Sequence, residues 1–481
     1  MVSRATIKTL VDESEAKYQE CWETLSRLTK PKGTEGAELF EDMLEFQPTL
    51  ARALYDLSEM HRTLHQEKQS VVAKKEHVSP EWFRHRMKLL DGYQKVIKAT
   101  ISIGKQLGDA FAWLFYGNET EHLREHYKQQ AQFHAPPGIG GLGELKFIED
   151  VRYIKGHLVL YHGITTFLRL GDISFINMDG LNLSAVGELK TTQIAEDQLS
   201  IMVTTVGQTK ESVSLLVDAN ADKGKADDEP VPCLLPQNMR GRLDRQVASI
   251  GGSFDLPGPT DGLNVETDAH LDKLPTLCKG LKPSSFTFEK IGDGLLLMGI
   301  KTAKRSLASK LMTPIGSSWN NKMHGLEGEA QHLLDRESTE NEIWFGGINV
   351  PTSEYQLTPG AVPLFWWPLD LDVIKAILFH EALVLSVYNP VHLVTKLRNA
   401  GFKAESLAGQ RGIKVEKVIG DKTLVIENFD YFINLVTGHF FDEQAVVESL
   451  TSFSEKAEST GMPPYTKIEM QIQQHFGPKP A

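Results

Sequence analysis

The sequence predicts a mixed α/β chain in three parts: a helical N-terminal region over residues 1–135, an α/β core over 136–330 with a mobile insertion at 219–236, and an α+β C-terminal region over 331–481. Three observations predict it. Up to about residue 135 apolar residues recur at three- and four-residue spacing, with little glycine or proline, as on amphipathic helices. The run Ala135-Pro-Pro-Gly-Ile-Gly-Gly-Leu-Gly143 ends that period, and short strand-like segments separated by turn residues follow it. From about residue 335 apolar helical runs and a glycine-centred hairpin pattern share the chain.

Taken in order, Tyr18–Leu28, Leu39–Met60 and Trp82–Leu107 carry the helical period. Lys30-Pro31-Lys32-Gly33 separates the first two. Ser79-Pro80-Glu81 opens the third, with Ser79 as cap and Pro80 at the first helical position, where a missing N–H costs nothing. The aromatic cluster Phe111–Tyr116 ends at Gly117-Asn118, a helix C-terminus. After the glycine-rich hinge a helix is expected over Leu142–Tyr153. Three strands follow, Gly156–His162, Thr166–Asn177 and Leu183–Thr191, the last two joined through the hairpin signal Asp179-Gly180. A helix is expected at Gln198–Val206. Ala219–Pro236 is polar and Asp/Lys-rich, too poor in apolar area to offset ordering entropy, and is expected to be mobile. Met239–Ile250 reads as a helix bearing Arg240, Arg242 and Arg245, Gly292–Ile300 as a buried strand, and Lys301–Met312 as a basic helix bearing Lys301, Lys304 and Arg305. In the last region Leu371–Val387 and Pro390–Ala400 read as helices, Lys414–Glu427 as a hairpin around Gly420-Asp421, and the final forty residues as helix fading into Gly-Pro-Lys-Pro-Ala.

Composition narrows the function classes. With 481 residues, 41% hydrophobic and 24% charged, the chain has material for several cored domains and is not wholly disordered, collagen-like or a coiled coil. Cys21, Cys233 and Cys278 make no disulfide framework and no CxxC pair, so a reduced, cytoplasmic setting is expected. The N-terminus lacks the apolar core of a signal peptide. The most apolar stretches fall short of the roughly 18 residues of a membrane span, so no membrane partner is expected. A net charge of −12 argues against non-specific coating of nucleic acid, but not against a local basic cleft. Lys279–Leu326 holds eight Lys/Arg against two acidic residues. With Arg240, Arg242 and Arg245, the cations Lys301, Lys304 and Arg305 form the expected phosphate-tracking wall.

The chemistry concentrates in Gly171-Asp172 on one expected strand and Glu188-Leu189-Lys190 on the next. Glu188 and Lys190 are two apart and face the same side of a strand. A short connection brings Asp172 beside them. Two carboxylates and an ammonium at one spot suit metal-assisted phosphodiester hydrolysis. Hard oxygens hold Mg²⁺, the metal lowers the pKa of an attacking water, and the lysine orients that water or neutralises developing charge. The expected metal ligands are Asp172, Glu188 and the backbone carbonyl of Leu189. Lys190 is the expected catalytic cation, and Mg²⁺ or Mn²⁺ the expected cofactor.

At LRLGDISFINMDGLNLSAVGELKT the chain resembles the PD-(D/E)xK, or restriction-endonuclease-like, superfamily, over about 160 of its 481 residues. The resemblance implies a central αβββαβ core, read here as the helix at 142–153, the three strands, the helix at 198–206 and the strand at 292–300. It implies a glutamate from the first helix, Glu144 or Glu149 with Glu144 favoured, and a polar residue near the phosphate, Gln193 ahead of Gln208. Where the family pattern carries a proline this chain has Gly171. Of three ExK triplets, Glu15-Ala-Lys17 lies in a helical pattern and Glu144-Leu-Lys146 follows a glycine loop, so only Glu188-Leu-Lys190 has a strand-borne acid before it. The implied function is a metal-dependent nuclease with DNA as the leading substrate. By analogy with bacterial chains of this build it is a restriction or anti-phage defence effector, restrained until oligomerisation or a protein partner triggers it. The rivals are a non-catalytic interaction protein with a decayed nuclease core and an RNA-cleaving toxin on the same core.

Other patterns carry less. Gly138-Ile-Gly-Gly-Leu-Gly143 matches a dinucleotide fingerprint, but prolines stand where the preceding strand belongs, so it is read as a hinge. His380-Glu381 lacks the second histidine of a zinc protease, there is no phosphate-binding GxxxxGK[ST], Trp366-Trp367 reads as core, and His122, His126 and His134 read as a solvated helix face.

Overall fold

A computed structural model of the chain describes residues 1–29, 36–117, 120–130, 132–154, 156–195, 198–207, 212–218, 270–282, 286–301, 306–312, 344–349, 354–359, 361–406, 412–420, 422–426 and 429–459. The expected break at 30–33, the insertion at 219–236, the helix at 239–250, Gln208 and the last residues lie outside these. So do Arg240, Arg242, Arg245, Lys304 and Arg305. The chain divides into two units, Met1–Thr260 with Pro351–Leu357, and Asp261–Val350 with Thr358–Ala481. The boundary expected at 136 falls inside the first unit and that at 331 inside the second.

The first unit opens with α1 (Arg4–Thr29), α2 (Gly36–Ala73), α3 (Pro80–Tyr116) and α4 (Thr120–Tyr127). The first three pack on one another in all three pairs. Ser79 Oγ accepts the Trp82 N–H at 3.2 Å and Pro80 takes the first helical position, as the sequence predicts. Every residue of α3 from Ala99 to Ala112 is buried, which marks it as a central core helix rather than a surface one. Gly108 is where α3 meets the chain beyond it: a Cβ there would stand 2.0 Å from the carbonyl oxygen of Ile164.

Helix α5 (Gly138–Asp150) leads into a six-stranded sheet: β1 (Tyr153–Ile154), β2 (His157–Tyr161), β3 (Ile173–Asn177), β4 (Asn182–Ala195), β5 (Gln198–Gly207) and β6 (Ser212–Asp218). The strands stand in sequence order, each antiparallel to the next. β1 reaches only the start of β2. Gln47 of α2 occupies the rest of that edge: its Nε2 donates to Val159 O and its Oε1 accepts the Tyr161 N–H, both at 2.8 Å. The chain returns to this unit at 354–357, where the Tyr355 N–H donates to Ser102 Oγ at 3.1 Å and the Leu357 N–H to Thr166 Oγ1 at 2.9 Å.

Four expectations are corrected here. The glycine run read as a hinge is the first turns of α5. Gln198–Val206 is strand β5, because Ile201, Val203, Thr204, Thr205 and Val206 are β-branched and pair along β4. Of Thr166–Asn177 only Ile173–Asn177 is extended, and residues 162–172 form a corner opened by a 3₁₀ turn at His162–Ile164. The strand expected at 292–300 belongs to the second unit. Among the described residues a helix therefore leads into an antiparallel meander, and the αβββαβ order is not observed.

The second unit contains α6 (Lys273–Gly280), β7 (Phe286–Lys290), β8 (Leu295–Lys301), α7 (Leu307–Met312), β9 (Trp344–Ile348), α8 (Leu371–Leu378), β10 (Ala382–Tyr388), α9 (Val391–Asn399), β11 (Lys403–Ser406), β12 (Ile413–Ile419), β13 (Lys422–Ile426), α10 (Asp430–His439) and α11 (Glu443–Ser459). One antiparallel sheet has the order β7-β8-β10-β9 and another β11-β12-β13. The helix expected over Leu371–Val387 stops at Leu378. His380 turns the chain with φ +54, and the dense apolar run from Ala382 becomes a strand between β8 and β9. The hairpin around Gly420 is present, and Trp367 is core at 2% exposure. Lys301 ends β8 rather than opening a helix.

Two substitutions in α3 have opposite expected signs. Gly108→Ala drives a methyl group into backbone and should cost about 2–3 kcal/mol. Gly92→Ala meets nothing within 4 Å and should stabilise by about 0.5–1 kcal/mol. Chemical denaturation of the two variants checks both.

Candidate functional site

Asp172 lies at the end of the corner that precedes β3. Its N–H donates to Gly187 O at 2.8 Å and its carbonyl accepts the His162 N–H at 2.9 Å, so the end of the corner is tied to β4 and to the corner's first residue. Its Oδ2 accepts the Leu189 N–H at 2.7 Å, which fixes the carboxyl against β4. Gly171 makes this turn possible. It has φ +71, and a Cβ there would stand 2.7 Å from Gly187 O. Proline, locked near φ −65°, cannot occupy that place.

Glu188 and Lys190 sit on β4 and form an ion pair. Glu188 is buried at 3% exposure, where an unpaired carboxylate would cost several kcal/mol. Glu144 projects from the second turn of α5, and the hydroxyl of Tyr161 at the end of β2 donates to its Oε2 at 2.6 Å. α5 comes this close to β4 because residue 143 is glycine, whose missing Cβ would overlap Thr191.

The three carboxylates and Lys190 feel one another. Asp172 is pushed well above the usual carboxylate range by burial and then by the charges of Glu188 and Glu144, against the Leu189 N–H and Lys190, which lower it. Glu144 is pushed up to about 7 by burial and by Glu188, against the Tyr161 hydrogen bond, Lys190 and Lys105.

Among the expected site residues, Asp172 touches the Leu189 N–H and Glu188 touches Lys190, and Glu144 lies within electrostatic range of Asp172, Glu188 and Lys190. Glu149 is not among them: it pairs with Arg52 at 2.5 Å. Gln193 is exposed on β4, at the last regular pair before the register shifts. Lys301 lies in the second unit.

A layer of buried polar groups, unexpected from the sequence, holds the corner. Lys105 Nζ donates to the carbonyls of Gln132, Gly163 and Thr165 at 3.1, 2.7 and 3.1 Å. Asp109, one turn along α3, accepts the Thr166 N–H and hydroxyl, each at 2.6 Å. Burial pulls the Lys105 ammonium down to about 8 and pushes Asp109 up to about 7. His126 is not on a solvated face. It is buried, and its Nδ1 accepts the N–H groups of Arg169 and Leu170 at 2.9 and 3.0 Å. His162 bridges Gly171 O at 3.0 Å and Ser174 Oγ at 2.6 Å, and Ser174 Oγ meets Tyr116 at 2.6 Å. The available signal was a Lys and an Asp four apart inside the apolar run Ile101–Phe115.

Among the described residues no group of three or more His, Cys, Asp or Glu side chains is disposed as a metal cage, and no helix is long and apolar enough to cross a membrane. No protein-family model, curated protein or solved structure matches the chain.

Burial holds His162 down to about 4 and His126 well below its usual value. Between pH 6.5 and 4 the unfolded chain binds protons there that the folded chain does not, so these residues cost stability as the pH falls. Asp109, Glu144 and Asp172, all raised, have the opposite slope. Comparing wild type with His162→Gln isolates the histidine. The melting temperature of the variant should fall less on going from pH 6.5 to 4, by the equivalent of about 3 kcal/mol at most. Parallel curves would show that His162 is not held neutral.

Proposed function

We propose that the chain is a metal-dependent phosphodiester hydrolase acting on nucleic acid, DNA ahead of RNA, through Asp172, Glu188, Lys190 and Glu144. The observation that supports this reading is convergence. A corner, a strand and a helix each bring a carboxylate to one place with an ammonium among them. The support comes from the site and not from the sheet, whose antiparallel meander departs from the restriction-endonuclease-like order.

The donor set fits a divalent cation. Asp172 and Glu188 offer hard carboxylate oxygens, and a cation beside them offsets both the burial and the neighbouring negative charges that raise Asp172. Asp172 and Glu188, with the Leu189 carbonyl, would hold Mg²⁺ or Mn²⁺, which supplies charge neutralisation at phosphate and a lower pKa for bound water. The remaining work belongs to the chain. The Leu189 N–H keeps the Asp172 carboxyl in one orientation. Lys190 places a positive charge at the edge of the carboxylates, where negative charge develops on phosphate. Glu144, near 7, exchanges a proton close to neutral pH, the range in which a general acid or base is most effective.

A second reading, a non-catalytic interaction protein with a nuclease-like site, is favoured by one observation. Glu188 already has Lys190 as partner and Asp172 already has the Leu189 N–H, so both carboxylates have internal partners.

Purified protein incubated with plasmid, linear DNA and RNA in Mg²⁺, Mn²⁺ or EDTA separates the two. Cleavage should require the metal. Asp172→Ala and Glu188→Ala should fall below about a hundredth of the wild-type rate while remaining folded by circular dichroism. Lys190→Ala should lose about 10²–10³ in rate and keep its Mn²⁺ affinity. Folded Asp172 or Glu188 variants that cut at the wild-type rate would remove this assignment.

A further inference from the structure

Tyr161 is the side chain at the site to which the roles above assign nothing. It ends β2 opposite Ile173 of β3, the residue after Asp172. Its backbone N–H is held by Gln47 Oε1 at 2.8 Å, and its ring is buried at 5% exposure. Its hydroxyl donates to Glu144 Oε2 at 2.6 Å, a length typical of an O–H···O⁻ bond strengthened by charge. Burial and the Glu144 charge push the phenol well above its usual range, so it remains a donor through neutral and mildly alkaline pH.

A donor with two torsions, anchored at its backbone and packed at its ring, has little freedom. It occupies Oε2 and sets the plane of the carboxyl, which directs the other oxygen, Oε1. On a side chain with three rotatable bonds projecting from a helix, nothing in the covalent geometry would otherwise set that plane. We infer that Tyr161 is a positioning residue: its hydroxyl fixes the Glu144 carboxylate in the orientation that serves Asp172, Glu188 and Lys190. This inference rests on the hydrolase reading above.

The test uses the full chain with Tyr161→Phe, Glu144→Gln and the double substitution. Cleavage is followed over a range of nucleic-acid concentrations in Mg²⁺, and Mn²⁺ binding is followed by calorimetry. Tyr161→Phe should lower kcat about ten- to hundredfold, the worth of one hydrogen bond to a charged group. KM and Mn²⁺ affinity should not change, and the double variant should be no slower than Glu144→Gln alone. A hydroxyl with a purely structural role would lower the melting temperature and leave kcat alone. Glu144→Asp withdraws the carboxylate from the hydroxyl without touching the buried ring. It should reproduce the kcat loss, which covers the case in which Tyr161→Phe does not fold. Wild-type kcat in either folded variant, or losses that multiply in the double variant, would overturn the inference while leaving the hydrolase reading in place. A wild-type protein that cuts no nucleic acid with any metal removes both.

Discussion

A lysine and an aspartate one helical turn apart, deep in α3, anchor the first unit where its candidate site lies. Burying either charge alone would cost several kcal/mol. Lys105 offsets that cost with three backbone carbonyls, and Asp109 with an N–H and a hydroxyl from Thr166. Four of these five partners lie in residues 163–166, so the pair secures the start of the corner between β2 and β3. His126 holds the next part at Arg169 and Leu170, and His162 holds Gly171. Asp172 therefore ends a segment whose backbone is held from the helices and from His162, and strand β4 fixes it through Gly187 and Leu189.

The site that results is charged against its own preference. Three carboxylates share a partly dehydrated space with Lys190 beside them and Lys105 within electrostatic range of Glu144. Such a cluster relaxes by gaining a proton or a cation, and its protons belong to the group rather than to any single residue. The hydrogen bonds that reach it, from the Leu189 N–H to Asp172 and from Tyr161 to Glu144, all stabilise the charged forms. The fold thus opposes the protonation that burial favours, and leaves the carboxylates ready for a positive partner.

Much of this was legible in the sequence. The helical period gave α1 to α3, and Ser79-Pro80 gave the start of α3. Two-residue spacing put Glu188 beside Lys190, and Asp179-Gly180 marked the turn between β3 and β4. What failed did so for physical reasons. At 198–206 and at 382–388 apolar residues are dense enough to satisfy both a helical and a strand period, and neighbouring strands decided the outcome. Residues 166–172 of the corner read as strand because the side chains that bind its backbone, Lys105, Asp109 and His126, come from residues far earlier in the chain. Glycine in the run 138–143 looked like a hinge locally. At Gly143 its absent side chain lets α5 approach β4 and deliver Glu144, a contact no window of sequence contains.

The return of the chain at residues 354–357 sets the order in which the protein can be completed during synthesis. Thr166, already clasped by Asp109, also accepts the Leu357 N–H, and Ser102 of α3 accepts that of Tyr355. Those donors leave the ribosome only after the stretch assigned to the second unit, Asp261–Val350, has been made. About 140 residues separate β6 from Leu357, and at about 5–20 residues per second their synthesis takes roughly 7–28 s. During that interval the nascent chain holds Asp172, Glu188 and Lys190 but lacks the last two backbone bonds to the layer that supports them. A newly made site of this kind matures late, and a polypeptide broken off before residue 354 would carry the motif without its full support.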